Sequence, residues 1–477
     1  MRKTKIICTL GPATDGILPE MIKAGMNVAR MNFSHGSHEE HKARMDAVKA
    51  ARKELGMPVG IMLDTKGPEI RTKTYKDGKI EIVEGQEFTL TTRDIEGDNT
   101  IVSITYEGLP NDVQPGTRIL IDDGLVAFEV EEIKNGTDIV CKALNGGPLS
   151  NRKSINVPGI KLNMKFVSDK DREDIEFGLS QDIDFIAASF TRSAQDVRDI
   201  KEILKAHGKE DVEIICKIEN MEGVNNVQEI LDEANGIMVA RGDMGVEIPA
   251  EKVPHIQKMI IRKCNLACKV VITATQMLDS MIRNPRPTRA EVSDVANAVY
   301  EGTDAVMLSG ETAMGSYPIE AVRMMSQIAE ESEKYLDYMF YQRRKVSAEN
   351  LRNISNTVCY SSVATASDLE APVIVAPSVS GFTTRMLSKW RPKALIAGLS
   401  PSMTAVRQMQ LYWGVKPFHA KRAESTDALL FASVELLKEK GIVKEGEIVV
   451  ATAGVVTRAN RHEPVADTNI MRVIVVE

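Results

Sequence analysis

The sequence has no stretch long and apolar enough to cross a bilayer, which argues against an integral membrane protein. Its first residues, Met1-Arg2-Lys3-Thr4-Lys5, enter a strand pattern directly and not the hydrophobic segment of a secretory signal. Cysteine is sparse and scattered: six in 477 residues, at 8, 141, 216, 264, 268 and 359. Cys264 and Cys268 stand one helical turn apart, without the further ligands that zinc would need. All six are expected as reduced core thiols, which suits the cytoplasm. Positive charge is not in excess either. With 60 Lys and Arg against 67 Asp and Glu, the net charge is −7, and nucleic acid is not the expected partner.

What the chain does have is ordinary globular composition, 43% hydrophobic and 27% charged, over a length that calls for two or three domains. A repeating unit organises much of it: a short apolar run, then polar and glycine residues, then a helical pattern. Lys5–Leu10 ends at Gly11-Pro12, Val28–Met31 at Asn32-Phe33-Ser34-His35-Gly36, and Gly60–Leu63 at Asp64-Thr65-Lys66-Gly67. Asp184–Ala188, Ile215–Ile218, Gly236–Ala240, Lys269–Ala274 and Asp304–Leu308 repeat it and bring the number to eight. Buried parallel strands read as continuous apolar runs, and eight alternating with helices predict a (β/α)₈ TIM barrel with its chemistry at the C-terminal strand ends. A doubly wound sheet is the competing fold, but polar residues at so many strand ends favour a closed ring.

The helical period vanishes between Arg71 and about Asn156. Short strand-like runs replace it, with turns at Asp77-Gly78, Asp123-Gly124 and Asn135-Gly136. This predicts an inserted β-barrel lid domain placed over the barrel mouth. The polar stretch Tyr341-Gln342-Arg343-Arg344-Lys345 reads as a linker, followed by alternating strands and helices of a doubly wound α/β domain. The expected division is 1–71 and 157–340 for the barrel, 72–156 for the lid and 341–477 for the C-terminal domain.

Chemistry concentrates at Lys217-Ile218-Glu219-Asn220. Residues two apart on a strand share a face, so Lys217 and Glu219 set a cation beside a metal-ligand candidate, which suits chemistry on a phosphoryl group. Taken alone, the pair reads equally well as a surface ion pair at a strand end. In the C-terminal domain, the hydroxyls of Ser378, Ser380, Thr383 and Thr384 stand where a strand passes into a helix. An anion site and a plain polar helix cap are both open readings there.

Six motifs in one order carry a resemblance along essentially the whole chain. They are Asn32–Gly36, Leu63–Arg71, Lys217–Asn220, Met238–Asp243, Ala274–Leu278 and Asn284–Glu291. The chain resembles the pyruvate kinase family, in a bacterial form without the extra C-terminal domain that some members carry. The resemblance implies transfer of the phosphoryl group of phosphoenolpyruvate to ADP, giving pyruvate and ATP. It implies Glu219 and Asp243 as ligands of Mg²⁺ or Mn²⁺, which keeps other positions for water and substrate. Gly242, Asp243 and Arg30 are implied substrate contacts, and Lys217 the stabiliser of the phosphoryl group in flight. Asn32, Ser34, His35, Arg71 and Lys153 fall on the nucleotide side. Thr275 lies nearest the proton delivered to the enolate; its hydroxyl is a poor acid, so a water relay with a contribution from Glu311 is expected.

Asn32, Ser34, Asp64 and Thr65 offer one carboxylate among neutral oxygens, which suits K⁺ better than a divalent ion. A hydrogen-bonded network tying two strand ends together is the plainer reading of those four residues. Glu69 decides between them, because members that work without potassium tend to carry lysine there. The family also forms homotetramers, with Asn284–Arg289 matching an interface segment, and many members are switched by a phosphorylated effector at the site matched by Ser378–Thr384. Two competing functions remain: a metal-dependent aldolase or lyase acting on pyruvate enolates, and a catalytically silent binding protein. The nucleotide-side motifs and the lid weigh against the first. The presence of Arg30, Lys217, Glu219 and Asp243 weighs against the second.

Overall fold

The eight apolar runs become eight parallel strands: β1 (Lys5–Thr9), β2 (Val28–Asn32), β3 (Gly60–Asp64), β4 (Phe185–Ala188), β5 (Glu213–Ile218), β6 (Gly236–Ala240), β7 (Val270–Ala274) and β8 (Ala305–Leu308). They pair in chain order, and β8 returns to β1 to close the barrel. Every residue in them is buried except Asn32, at the mouth, which is half-buried. This computed structural model describes residues 1–339, 353–454 and 468–477. The linker expected at Tyr341–Lys345, and the boundary drawn beside it, lie outside the described residues.

Helix entry after the strand ends is set by sequence. Ser37, Ser168, Ser193 and Thr288 each accept the backbone N–H three residues on, and Glu40, Asp171, Asp196 and Glu291 return the bond. These capping boxes satisfy orphan donors just where the chain must turn back along the barrel.

The insertion leaves the barrel after β3. Its strands form a seven-stranded sheet, with Ile70–Arg71 and Ser154–Asn156 paired at the point of departure and return, and a two-stranded ribbon of Lys79–Ile82 with Gly147–Ser150. It has its own core, around Phe88 and Phe128. The C-terminal domain is a five-stranded sheet, parallel from Val415–His419 through Leu395–Ser400 and Val373–Pro377 to Ile448–Gly454, and closed by antiparallel Thr468–Val475.

That domain seals the barrel's N-terminal end. Trp390, Met409 and Tyr412 share one apolar core with Ile7, Met62, Phe185 and Ile215 from the strands. Buried charges stitch the seam: Arg407 Nε to Asp184 Oδ1 at 2.6 Å, and Arg391 Nη1 to Asp304 Oδ1 at 2.7 Å. Burial pushes the Asp184 carboxyl up to about 6 even against Arg407. Arg407→Ala should therefore cost about 3–5 kcal/mol of unfolding free energy, because a fully buried carboxylate loses its main partner. Urea unfolding followed by the emission of Trp390 and Trp413 measures it. A cost below about 1 kcal/mol would mean that the pair behaves like a surface bridge.

Candidate active site

With the C-terminal domain on one end, the only open end of the barrel is the mouth where the polar strand termini gather. At its centre lies Lys217, the fifth residue of β5. Its ammonium is 3.1 Å from Glu219 Oε1, 3.2 Å from Asp64 Oδ1 and 2.8 Å from the Ser189 hydroxyl. Arg30, on β2, donates from Nε to Asp64 Oδ2 at 2.6 Å and from Nη1 to Thr9 Oγ1 at 2.8 Å. Asp64 thus bridges the two cations of the mouth. Its burial opposes the charge, but Arg30 and Lys217 outweigh that and hold its carboxyl below the ordinary value. The same balance raises Lys217: burial works against the ammonium, and Asp64 and then Glu219 overcome it.

Glu219 is in a different position. Oε2 accepts the Phe190 N–H at 2.5 Å, while buried Oε1 accepts no hydrogen bond and has only the ion contact with Lys217. Burial pushes this carboxyl up to about 8; Lys217 opposes the rise and Asp243 adds to it. Asp243 stands in the short helix Arg241–Glu247 that follows β6, beside β5 in the ring. A buried carboxylate with an unsatisfied oxygen, whose ionisation a neighbouring carboxylate makes more costly, forms with that neighbour a donor set that a divalent cation would relieve.

Gly242 donates its N–H to Thr275 Oγ1 at 2.7 Å, and the Thr275 hydroxyl donates to the Ala274 carbonyl at 2.6 Å. A Cβ on Gly242 would come no closer than 3.5 Å to any other residue, so protein packing does not require glycine here. Thr275 has φ 69° and Gln276 φ 52°, a strained turn for a β-branched residue, of the kind that persists where the surroundings impose it. Glu311 is one such constraint. Its carboxylate accepts the Leu278 N–H at 3.0 Å and the Ser309 N–H at 2.7 Å, so each oxygen already holds one backbone group.

Of the suggested potassium ligands, Asn32 and Asp64 are register partners across β2 and β3, Asn32 Oδ1 accepts the Ser34 N–H at 3.3 Å, and Thr65 Oγ1 accepts the Ser189 N–H at 3.2 Å. His35 is exposed, and its carbonyl accepts from His41 Nε2 at 2.8 Å. Between lid and barrel opens a cleft of about 570 Å³, whose walls include Arg71, Lys153, Asp243, Glu222 and Glu247. Arg71 is paired with Glu69 at 2.5 Å and Lys153 with Asp122 at 2.9 Å. Lid cations and a barrel carboxylate therefore face one space.

Far from the mouth, Ser378, Ser380 and Thr383 line a second cavity of about 440 Å³ in the C-terminal domain, together with Lys421 and Arg422. Thr384 is not on its wall. The Thr384 hydroxyl is fully buried and donates to the Gly381 carbonyl at 2.6 Å, and Thr383 Oγ1 lies 2.8 Å from Thr468 Oγ1. Sequence reasoning passed over Ser189, although it ends an apolar run as the other site residues do, and over Lys421 and Arg422. No disulfide joins any of the six cysteines, and five of them are buried.

A closed barrel with a lysine between carboxylates at its mouth, under a lid that brings further cations, defines the class: a barrel enzyme for anionic substrates. Two family models match the chain, "Pyruvate kinase, barrel domain" over residues 1–322 and "Pyruvate kinase, alpha/beta domain" over residues 356–474. A pyruvate kinase of Geobacillus stearothermophilus is 50% identical over 483 residues, covering all of this chain and 80% of that protein. One from Bacillus licheniformis is 48% identical, covering all of this chain and 81% of its own length. A crystal structure of a pyruvate kinase from Cryptosporidium parvum superposes with a TM-score of 0.93 at 40% identity, over all of this chain and 96% of that one. The chain belongs to the pyruvate kinase family, and its activity is that of a pyruvate kinase.

Proposed function

We propose that the mouth transfers the phosphoryl group of phosphoenolpyruvate to ADP, with the following division of labour. The observation that carries it is the buried ammonium of Lys217, held between Asp64 and Glu219 and facing the side of the barrel where Arg30 and Asp243 also end. Arg30 binds the substrate phosphate. Gly242 leaves room for the substrate carboxylate. Lys217 offsets charge on the phosphoryl oxygens as they separate from one partner and approach the other. Glu219 and Asp243 would hold Mg²⁺ or Mn²⁺, which would supply charge neutralisation for the phosphoryl group. Asn32, Ser34, Asp64 and Thr65 hold K⁺.

Arg71 and Lys153 bind the nucleotide phosphates as the lid closes, with His35 beside them, and closure excludes water. Thr275 relays a proton from water to the enolate. The test is formation of ATP from phosphoenolpyruvate and ADP by the purified chain. Release of pyruvate with inorganic phosphate and no ATP would mean that water, and not ADP, takes the phosphoryl group, and would overturn this reading.

The same reading extends to assembly and control. The segment Asn284–Arg289 is exposed apart from half-buried Pro287, and we place it at a homotetramer interface; light scattering that finds a monomer at micromolar concentration would end that assignment. Reduced thiols, and the absence among the described residues of a helix long and apolar enough to cross a membrane, support a cytoplasmic placement. A phosphorylated effector fits the cavity of Ser378, Ser380 and Thr383, where Lys421 and Arg422 supply charge. Lys421→Glu with Arg422→Glu should abolish activation by a sugar phosphate and leave turnover without it unchanged. Activation that survives in this variant would move the site elsewhere.

A further inference from the structure

A cavity of about 600 Å³ outside the catalytic mouth lies where the end of helix His38–Leu55 meets the C-terminal domain. Its charge is one-sided. Lys49, Arg52, Lys53, Arg407, Lys440 and His419 line it, and no aspartate or glutamate does. In a chain whose acids outnumber its bases by 67 to 60, a wall without a carboxylate calls for an explanation.

Carboxylates outside the cavity account for only part of this charge. Arg407 is taken up by Asp184 and Asp182, and Lys49 lies 3.6 Å from Asp46. Arg52 gives one arm to the Val59 carbonyl at 3.2 Å and is otherwise half-buried close to Arg407. Burial and then the repulsion of Arg407 lower its pKa, although Asp184 and Asp182 lie near. Lys53 and Lys440 form no ion pair among the described residues and stand exposed at the rim. Apolar residues share the lining with these cations: Pro58, Val406, Phe418 and Leu436. None of these residues belongs to the cavity of Ser378 and Ser380 or to the lid cleft.

We propose that this cavity is a binding site for a small organic anion, a phosphate or carboxylate carried on an apolar body. The rim cations meet the anionic head and Arg52 gains a counter-charge beyond that of Asp184 and Asp182, which Arg407 already engages, while the body covers Phe418 and Leu436. An inorganic anion alone leaves the apolar residues uncovered. The occupant would bridge the barrel and the C-terminal domain, since both contribute to the lining.

The experiment titrates 8-anilinonaphthalene-1-sulfonate into the full chain and follows its fluorescence. Saturable binding is expected. In the Lys53→Glu, Lys440→Glu double variant the dissociation constant should rise at least about tenfold, with melting temperature and turnover unchanged, since both side chains are exposed and outside the catalytic mouth. Displacement of the probe by phenyl phosphate or by phenylacetate identifies the preferred head group and supports the site. Equal binding by the double variant overturns it. So does failure of both phenyl anions to displace the probe, or displacement by inorganic phosphate as readily as by phenyl phosphate.

Discussion

Replacing Lys217 with alanine is expected to lower kcat by at least about 10²–10³-fold, the range seen when one preorganised donor to developing charge is removed. The ammonium is buried and held by three partners, so it spends little energy on reorganisation as the reaction proceeds. The KM for phosphoenolpyruvate should change far less, because in the proposed arrangement Arg30 binds the phosphate and is anchored independently through Asp64 and Thr9.

The variant also has a structural cost. Asp64 keeps Arg30, but Glu219 loses its only ion contact and is left buried beside Asp243. Glu219 can respond by keeping a proton, so the fold should survive with reduced stability. Circular dichroism and a melting curve separate this loss from the chemical one. A folded variant with turnover reduced less than about tenfold would remove Lys217 from the role assigned to it.

The barrel was legible because its strands are buried on both sides and so appear as uninterrupted apolar runs. The runs read at Gly236–Ala240 and Lys269–Ala274 correspond to strands Gly236–Ala240 and Val270–Ala274. Position along each run also pointed to function, since polar residues at the C-terminal end of a barrel strand face the mouth. What the sequence did not display is how those residues saturate one another. Asp64 was legible as an oxygen donor, yet nothing near it in the chain shows that Lys217, 153 positions later, leans on the same carboxylate.

The Ser378–Thr384 loop misled in the opposite way. Four hydroxyls in seven residues look alike in a sequence, but the helix beginning at Phe382 turns the Thr384 hydroxyl back to the Gly381 carbonyl. The seam under the barrel was invisible for a related reason. Arg407, Tyr412 and Trp390 lie among ordinary domain residues, and only the fold brings Arg407 to Asp184 and Tyr412 Oη to Glu213 Oε1 at 2.5 Å.

Withdrawal of potassium is the second large effect expected. Activity should fall at least about tenfold when a bulky organic cation replaces K⁺ at constant ionic strength. The oxygens assigned to the ion already lie on neighbouring strand ends: Asn32 opposite Asp64, with Ser34 and Thr65 one short step on. Asp64 stays ionised but both its oxygens already face cations, Arg30 and Lys217, so the other donors of the set are neutral and no charge is in excess to hold a divalent ion.

Glu69 is the discriminating position, and the structure adds a complication that the sequence did not. Its carboxylate lies 2.5 Å from Arg71, one of the cations proposed to bind nucleotide. Glu69→Lys would therefore both supply a positive charge and release Arg71. Glu69→Gln separates the two, since it releases Arg71 without adding a cation. If a fixed charge substitutes for the ion, the lysine variant alone should lose most of its dependence on K⁺, and the glutamine variant should keep it. Equal loss in both variants would mean that the effect runs through Arg71, and full activity of the unmodified enzyme without potassium would remove the ion from Asn32, Ser34, Asp64 and Thr65.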